Sequence, residues 1–199
     1  MNDFYVGAAS AAINYRPSRV NTLPQGGMMN KLRPHSSDLR KGRVSICGQI
    51  YLVTTITLDR RPVFADFRLG RILVNTMRLH AENGDVESIA FVIMPDHFHW
   101  LFALTGKCSM SKLIGQVKGA AAHLINHAWE GQIAAKAAPT DAPKKRLGRI
   151  WQKGFHDRAL RREEDIRAIA RYMVMNPVRA GIVSRIWDYP LWDAIWVEG

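Results

Sequence analysis

Two histidines one residue apart, His97 and His99, lie inside the apolar run FVIMPDHFHWLFAL at residues 91–104. The run reads as a hairpin, and a strand alternates its side chains between faces. His97 and His99 therefore project together, with Leu101 and Ala103 beyond them, while Phe98, Trp100 and Phe102 face the other way. Two imidazoles side by side on a stiff strand suit a metal ion. They equally suit two ordinary buried histidines with satisfied nitrogens. A third group has to decide between these, and one lies far downstream. Tyr172 and Asn176 are four apart in a helical pattern and share one face. The Asn176 amide can lend a carbonyl oxygen to a cation held by the two histidines; before Pro177 it is also a good helix terminator in any protein. Tyr172 can be an ordinary core tyrosine with its hydroxyl at the surface. Beside a divalent cation it would have one distinctive use, attack of its phenolate on a phosphodiester. The cation draws charge from a non-bridging phosphate oxygen, and nearby positive charge helps a phenol of pKa about 10 to ionise. The product, a covalent phosphotyrosine, keeps the energy of the cleaved bond for rejoining. No G-x-x-x-x-G-K-[ST] run is present, so no nucleotide-hydrolysing loop is expected.

The charge balance points to the same class of substrate. The 199 residues carry 28 Lys+Arg against 17 Asp+Glu, a net +11, and such a surface attracts polyanions, nucleic acid first among them. The excess is concentrated: from Lys136 to Arg185 there are 13 basic and 5 acidic residues. Lys153, Arg158, Arg161, Arg162, Arg171 and Arg179 thus surround the candidate nucleophile in sequence and read as a DNA track, against the simpler reading of a solvated face. Cys47 and Cys108, 61 positions apart, form neither a disulfide framework nor a zinc-ribbon spacing, which fits a reducing cytoplasm. No apolar run approaches the roughly 20 residues of a membrane span, and the N-terminus lacks a signal-peptide pattern. His123 and His127 share a helix face, but HLINH lacks the glutamate of a zinc-protease helix, so they read as surface. His156 is left as a supporting group or a DNA contact. The six tryptophans are mostly core candidates, with Trp151 or Trp187 open to stacking on an unpaired base.

The elements that must position these groups follow from periodicity. Residues 1–37 have mixed polarity, scattered Pro and Gly and no sustained period, and read as a poorly ordered extension in which Met29 offers a second start. The remainder, 38–199, reads as a single domain. QIYLVTTITL at 49–58 is a strand. A helix follows from Asp66, which caps it, to the stop at Asn83–Asp85. VESIAFVIM and HFHWLFAL are antiparallel strands joined by a tight Pro-Asp turn. A second helix runs from a Ser109 or Ser111 cap to Gly131, and an Ala/Pro/Lys segment at about 132–149 reads as a mobile basic insert. A fourth strand is expected around 150–160, then a helix with an acidic first turn that ends by Asn176. The tail IWDYPLWDAIWV is expected to pack on the domain. The order β-α-β-β-α-β is the ferredoxin-like split βαβ arrangement, an α+β fold: a four-stranded antiparallel sheet, helices on one face, and the His97/His99 strand at the centre.

At this point the chain resembles a known family. MPDHFHWL, followed far downstream by WQKGFHDRAL and RYMVMNPVRAGIV, is similar to the REP-associated tyrosine transposases, part of the wider HUH group of single-strand transposases with one tyrosine nucleophile. The opening LRKGRVSICGQIYLVTTIT and closing DYPLWDAIW also look like that family, so the likeness covers residues 39–197. It implies that His97 and His99 bind a divalent cation, Mg2+ or Mn2+, that Asn176 is a third ligand, and that Tyr172 is the nucleophile. It further implies single-stranded hairpins of repetitive extragenic palindromes, flanked by a guide tetranucleotide, as substrate, with cleavage leaving a 5′-phosphotyrosine and a free 3′-OH. Arg40, Lys41 and Arg43 are then candidates to reach the guide bases. The resemblance implies a bacterial, nucleoid-associated protein working as monomer or homodimer. Three other readings stay open: a hairpin-binding protein without turnover, a metal hydrolase of RNA or nucleotides using the imidazoles without tyrosine, and replication initiation or conjugative relaxation, chemistry shared by other HUH proteins.

Overall fold

The computed structural model describes residues 45–136, 147–161 and 164–196. The N-terminal extension, Arg40, Lys41, Arg43, Arg162 and the middle of the basic insert lie outside the described residues.

Among the described residues, five strands and four α-helices follow in this order: β1 Ile50–Ile56, α1 Phe67–Glu82, β2 Val86–Met94, β3 His97–Leu104, α2 Met110–Lys136, β4 His156–Ala159, α3 Ile166–Val174, α4 Asn176–Arg179 and β5 Trp192–Ala194. They build one antiparallel sheet in the order β4-β1-β3-β2-β5, the split βαβ sheet with one strand added. The added strand is a correction to the four expected. Its three residues are too few to show a period-2 pattern in sequence; it exists because β2 offers an unpaired edge, on which Val92 pairs with Trp192 and Ala90 with Ala194. The central place of β3 shields its backbone on both sides, by β1 and β2.

Each sheet face has its own use. Tyr51, Val53 and Thr55 of β1 are buried while the residues between them are half-buried. Their cross-strand partners Phe102, Trp100 and Phe98 lie on the same face. Trp151 touches Phe98 and Phe64 at ring distances of 5.7 and 5.4 Å, and its indole N–H donates to the Lys118 carbonyl of α2 at 2.9 Å. Those contacts put α2, and α1 packed beside it, over this aromatic face. Trp151 is thus core, which removes it as a base-stacking candidate. The other face carries two cross-strand rows: His156, Thr54, His99, Val92 and Trp192, then Arg158, Leu52, Leu101, Ala90 and Ala194. The expected alternation in β3 is observed, with both histidines away from the aromatic core.

The helix ends differ from expectation at two places. Asp66 caps α1 by accepting from Arg68 N at 2.9 Å, and Asn83 closes it, as the sequence indicates. α2 instead runs through Gly131 to Lys136: one interior glycine costs about 1 kcal/mol, which the following Ala134 and Ala135 can support. Residues 132–136 therefore belong to the helix. At the far end of the insert, Gly148 makes two hydrogen bonds to the Asn126 side chain, and Arg61 donates to the carbonyls of Leu147 and Arg149. The fourth strand is shorter than 150–160: Trp151 makes a single bridge to Thr57, Gly154 turns the chain at φ 82°, and β4 pairs only from His156. Pro177 does not simply end the preceding helix. Proline lacks the N–H that an interior position needs but fits a first turn. The chain breaks at Met175 (ψ 3°) and restarts as α4 with Asn176 and Pro177 in its first turn.

Trp100 is fully buried at the centre of the aromatic face and donates its indole N–H to Ser88 Oγ at 3.0 Å. Trp100→Ala is expected to cost about 3–5 kcal/mol, read as a fall in the urea midpoint with unchanged slope; a loss under 1 kcal/mol would contradict this packing.

Candidate active site

The candidate site begins at the β2–β3 turn. Pro95 and Asp96 reverse the chain, so His97 is the first residue of β3. Asp96 is completely buried, and its two carboxylate oxygens are divided between two partners. Oδ1 accepts from His97 Nδ1 at 2.5 Å and Oδ2 from the Arg60 guanidinium at 2.8 Å. Its backbone carbonyl accepts from both the N–H (2.9 Å) and the hydroxyl (2.8 Å) of Thr57. A buried carboxylate is tolerable only when paired and hydrogen-bonded in this way. Arg60 reaches it because Asp59 and Arg60 both adopt left-handed backbone conformations, φ 53° and 51°. Each costs about 1–2 kcal/mol in a residue with a Cβ, so the turn is held by the contacts it makes.

An ionised carboxylate only accepts, so His97 carries a proton on Nδ1, which leaves Nε2 as the nitrogen that could meet a ligand. His99 is held from the neighbouring strand: its Nδ1 lies 2.8 Å from Thr54 Oγ1, its cross-strand partner in β1. The two rings are 4.9 Å apart and nearly perpendicular, at 86°. Burial lowers the His99 pKa to about 3, helped by the charges of His97 and Arg179 and opposed by Asp96. His99 is thus a neutral imidazole across the physiological range, the form that ligates metals.

α3 and α4 pack on β2, with α3 also against β5. Asp165 caps α3 by accepting from Ala168 N at 3.0 Å. Ala170, Met173 and Val174 point into the core, which leaves Tyr172 on the outer side, 62% exposed. Arg179 of α4 binds back onto α3: its guanidinium lies 3.8 Å from the Tyr172 ring centroid and donates to the Tyr172 carbonyl and to Asn176 Oδ1. Tyr172 and Asn176 are thereby joined through one side chain. The charge of Arg179 is near enough to act on the His99 imidazole.

Among the described residues no cluster of three or more His, Cys, Asp or Glu gathers around a point. A cation here would need an oxygen of another kind to join the two imidazoles, and the Asn176 amide is the candidate in reach of Arg179. The donor chemistry fits a divalent cation: two imidazoles with their Nδ1 atoms engaged, and one amide carbonyl.

The other candidates separate. Lys153, Arg158, Arg161, Arg171 and Arg179 are exposed. Arg158 stands on the histidine face and pairs with Glu164, which takes part of its charge out of a DNA track. His156 is exposed in the same cross-strand row as Thr54 and His99. His123 and His127 are exposed on α2, the surface reading. Trp187 is 69% exposed and rests edge-on against Trp192 at 5.3 Å. Sequence reasoning missed Asp96, Thr54 and Arg60. Asp96 had a signal, since a carboxylate directly before a candidate ligand histidine can orient it; Thr54 and Arg60 had none, because strand register and a left-handed turn place them.

A split βαβ sheet with paired histidines on its central strand and a tyrosine on a later helix is the arrangement expected of a single-tyrosine transposase. Residues 46–175 match the family model described as transposase IS200 like, and the chain belongs to that family. The match takes in His97, His99 and Tyr172 and ends one residue before Asn176. A protein of Haemophilus influenzae provisionally described as a REP-associated tyrosine transposase is 23% identical over 150 residues, 72% of this chain and 78% of its own. The REP-associated tyrosine transposase of Escherichia coli is 26% identical over 102 residues, about half of each chain. Among solved structures, a REP-associated tyrosine transposase bound to a REP hairpin shares the fold, with TM-score 0.55, 22% identity and 82% of each chain covered. The chain is therefore a DNA transposase. Among the described residues no helix is long and apolar enough to cross a membrane.

The depressed His99 value has a consequence for stability. Between its folded value of about 3 and the ordinary 6.5, the unfolded chain binds a proton that the folded chain refuses. The contribution of His99 is complete above about pH 6.5 and is lost as pH falls toward 3. His99→Gln, which keeps a hydrogen-bonding partner for Thr54, should flatten the fall in urea midpoint between pH 7 and pH 5; an unchanged slope would refute the burial of His99.

Proposed function

We propose that this transposase cuts and rejoins single-stranded DNA beside hairpins of the repetitive extragenic palindromic kind, with Tyr172 as nucleophile. Three things support the substrate: the REP-associated names of the two relatives, the REP hairpin in the solved neighbour, and the net charge of +11. One observation carries the chemistry. Two imidazoles are locked side by side, one by Asp96 and one by Thr54, and Arg179, whose charge acts on His99, joins Tyr172 and Asn176.

His97, His99 and Asn176 would hold a divalent cation such as Mg2+ or Mn2+. When bound, it would neutralise charge on a non-bridging phosphate oxygen and so ease nucleophilic attack. The chain's own residues do the rest. Asp96 and Thr54 hold the imidazoles, so the ligands need no rearrangement. Exposed Lys153, Arg161, Arg171 and Arg179 bind the phosphate backbone and fix its register. Arg40, Lys41 and Arg43 would contact the guide bases.

Tyr172 Oη then attacks the phosphorus. A Tyr–O–P bond forms and the P–O3′ bond breaks. The 5′ phosphate stays on Tyr172, and the proton leaving the phenol is returned through solvent to the 3′ oxygen. Attack by a free 3′-OH reverses the sequence and restores Tyr172, so the strand is transferred without an external energy source.

Tyr172→Phe should abolish a denaturant-stable adduct with labelled single-stranded hairpin DNA and leave hairpin affinity within about twofold. Adducts that persist would remove Tyr172 as nucleophile; a wild-type chain that binds hairpins and never forms adducts would favour the binding protein without turnover. Asp96→Asn should weaken Mn2+ affinity about 10–100-fold, as expected when a ligand's orienting partner is lost, with the far-ultraviolet circular dichroism preserved. Cleavage that survives full chelation would overturn the metal role.

A further inference from the structure

Arg179 is the side chain that joins Tyr172 to Asn176, and the reaction above leaves its present position unexplained. Its guanidinium covers the Tyr172 ring, with Cζ 3.8 Å from the ring centroid. Separate nitrogens donate to the Tyr172 carbonyl and to Asn176 Oδ1. The Asn176 oxygen is the same atom that a cation would need. A guanidinium bonded to it brings a full positive charge within a few ångströms of any second cation sharing it. Arg179 and the divalent ion are therefore competitors for one ligand atom. Arg179 is also exposed, so an anion from solvent can reach it.

We propose that Arg179 is a latch on the DNA-free protein, which withholds the Asn176 oxygen from the cation, covers the ring of the nucleophile, and is drawn off by a phosphodiester. The latch rests on the reading of Asn176 as a ligand and Tyr172 as the nucleophile. A planar guanidinium binds a phosphate through two parallel charge-assisted bonds, which are stronger than its bonds to a neutral amide and a backbone carbonyl. Backbone phosphate of bound DNA thus displaces both contacts together. Without DNA the cation meets two imidazoles; with DNA it meets two imidazoles and the freed amide. Cation and DNA then raise each other's affinity by the same factor. Arg179 acts through Asn176 and Tyr172 and is a positioning residue.

The experiment is a Mn2+ titration of the full chain, following the free-ion signal by electron paramagnetic resonance, for the wild type, Arg179→Leu, Asn176→Ala and the double variant. Without DNA, Arg179→Leu should bind Mn2+ roughly tenfold more tightly, the worth of a released charge-assisted hydrogen bond. Asn176→Ala should bind as the wild type does, and the double variant should lose the gain. A single-stranded hairpin oligonucleotide should tighten Mn2+ binding in the wild type and leave Arg179→Leu unchanged. If Arg179→Leu shows no gain while Asn176→Ala weakens binding, Asn176 is a ligand and the latch alone falls. If the double variant keeps the gain, the effect is bare charge removal, and the assignment of Asn176 as ligand falls with the latch. Both positions lie at least partly exposed, and matching thermal melts would show the variants folded.

Discussion

A single buried carboxylate holds the candidate site to the fold. Asp96 has no solvent of its own and lies between the Arg60 guanidinium and the His97 imidazole. Its backbone carbonyl also takes both donors of Thr57 at the end of β1. The charge is bearable in the interior because both oxygens and the carbonyl are satisfied, and the two strained residues at Asp59 and Arg60 are held by that bond. Removing the carboxylate would leave the imidazole free to rotate and the left-handed turn without its reason. The hairpin that creates β3 and the side chain that orients its first histidine are thus one construction.

The sheet distributes work between its faces. The aromatic face, Phe98, Trp100 and Phe102 under α1 and α2, supplies burial and stiffness. The histidine face is left to chemistry, with polar or charged residues at its β4 edge and α3 and α4 over its β2 and β5 side. Because β3 is paired on both sides, its histidines share the rigidity of the sheet centre. Tyr172 instead rides on a nine-residue helix, exposed, with a helix break three residues later. Stiff histidines and a more adjustable tyrosine suit the proposed reaction, in which Tyr172 would first carry a DNA strand and then release it.

The charge distribution belongs to the same picture. The basic excess is concentrated in the second half of the chain, from which β4, α3 and α4 are built. In the proposed reading, the long-range attraction of a phosphate backbone and the local chemistry would therefore come from neighbouring elements. The Arg158–Glu164 pair shows that not every arginine in the run is free for that purpose.

The sequence by itself determined the order of elements, the alternation that puts His97 and His99 on one face, the capping of α1 by Asp66, and the helical spacing of Tyr172 and Asn176. These are local properties, set by period, cap and turn chemistry within a few residues. The tertiary structure alone decided what depends on distant pairing. Thr54 meets His99 through strand register. Arg60 meets Asp96 through two left-handed residues that no propensity favours. β5 exists because β2 has a free edge, and α2 passes Gly131 because an interior glycine costs less than the helix gains around it. Arg179 closes on Tyr172 and Asn176 only because Pro177, unable to extend α3, starts a new helical turn that folds the guanidinium back.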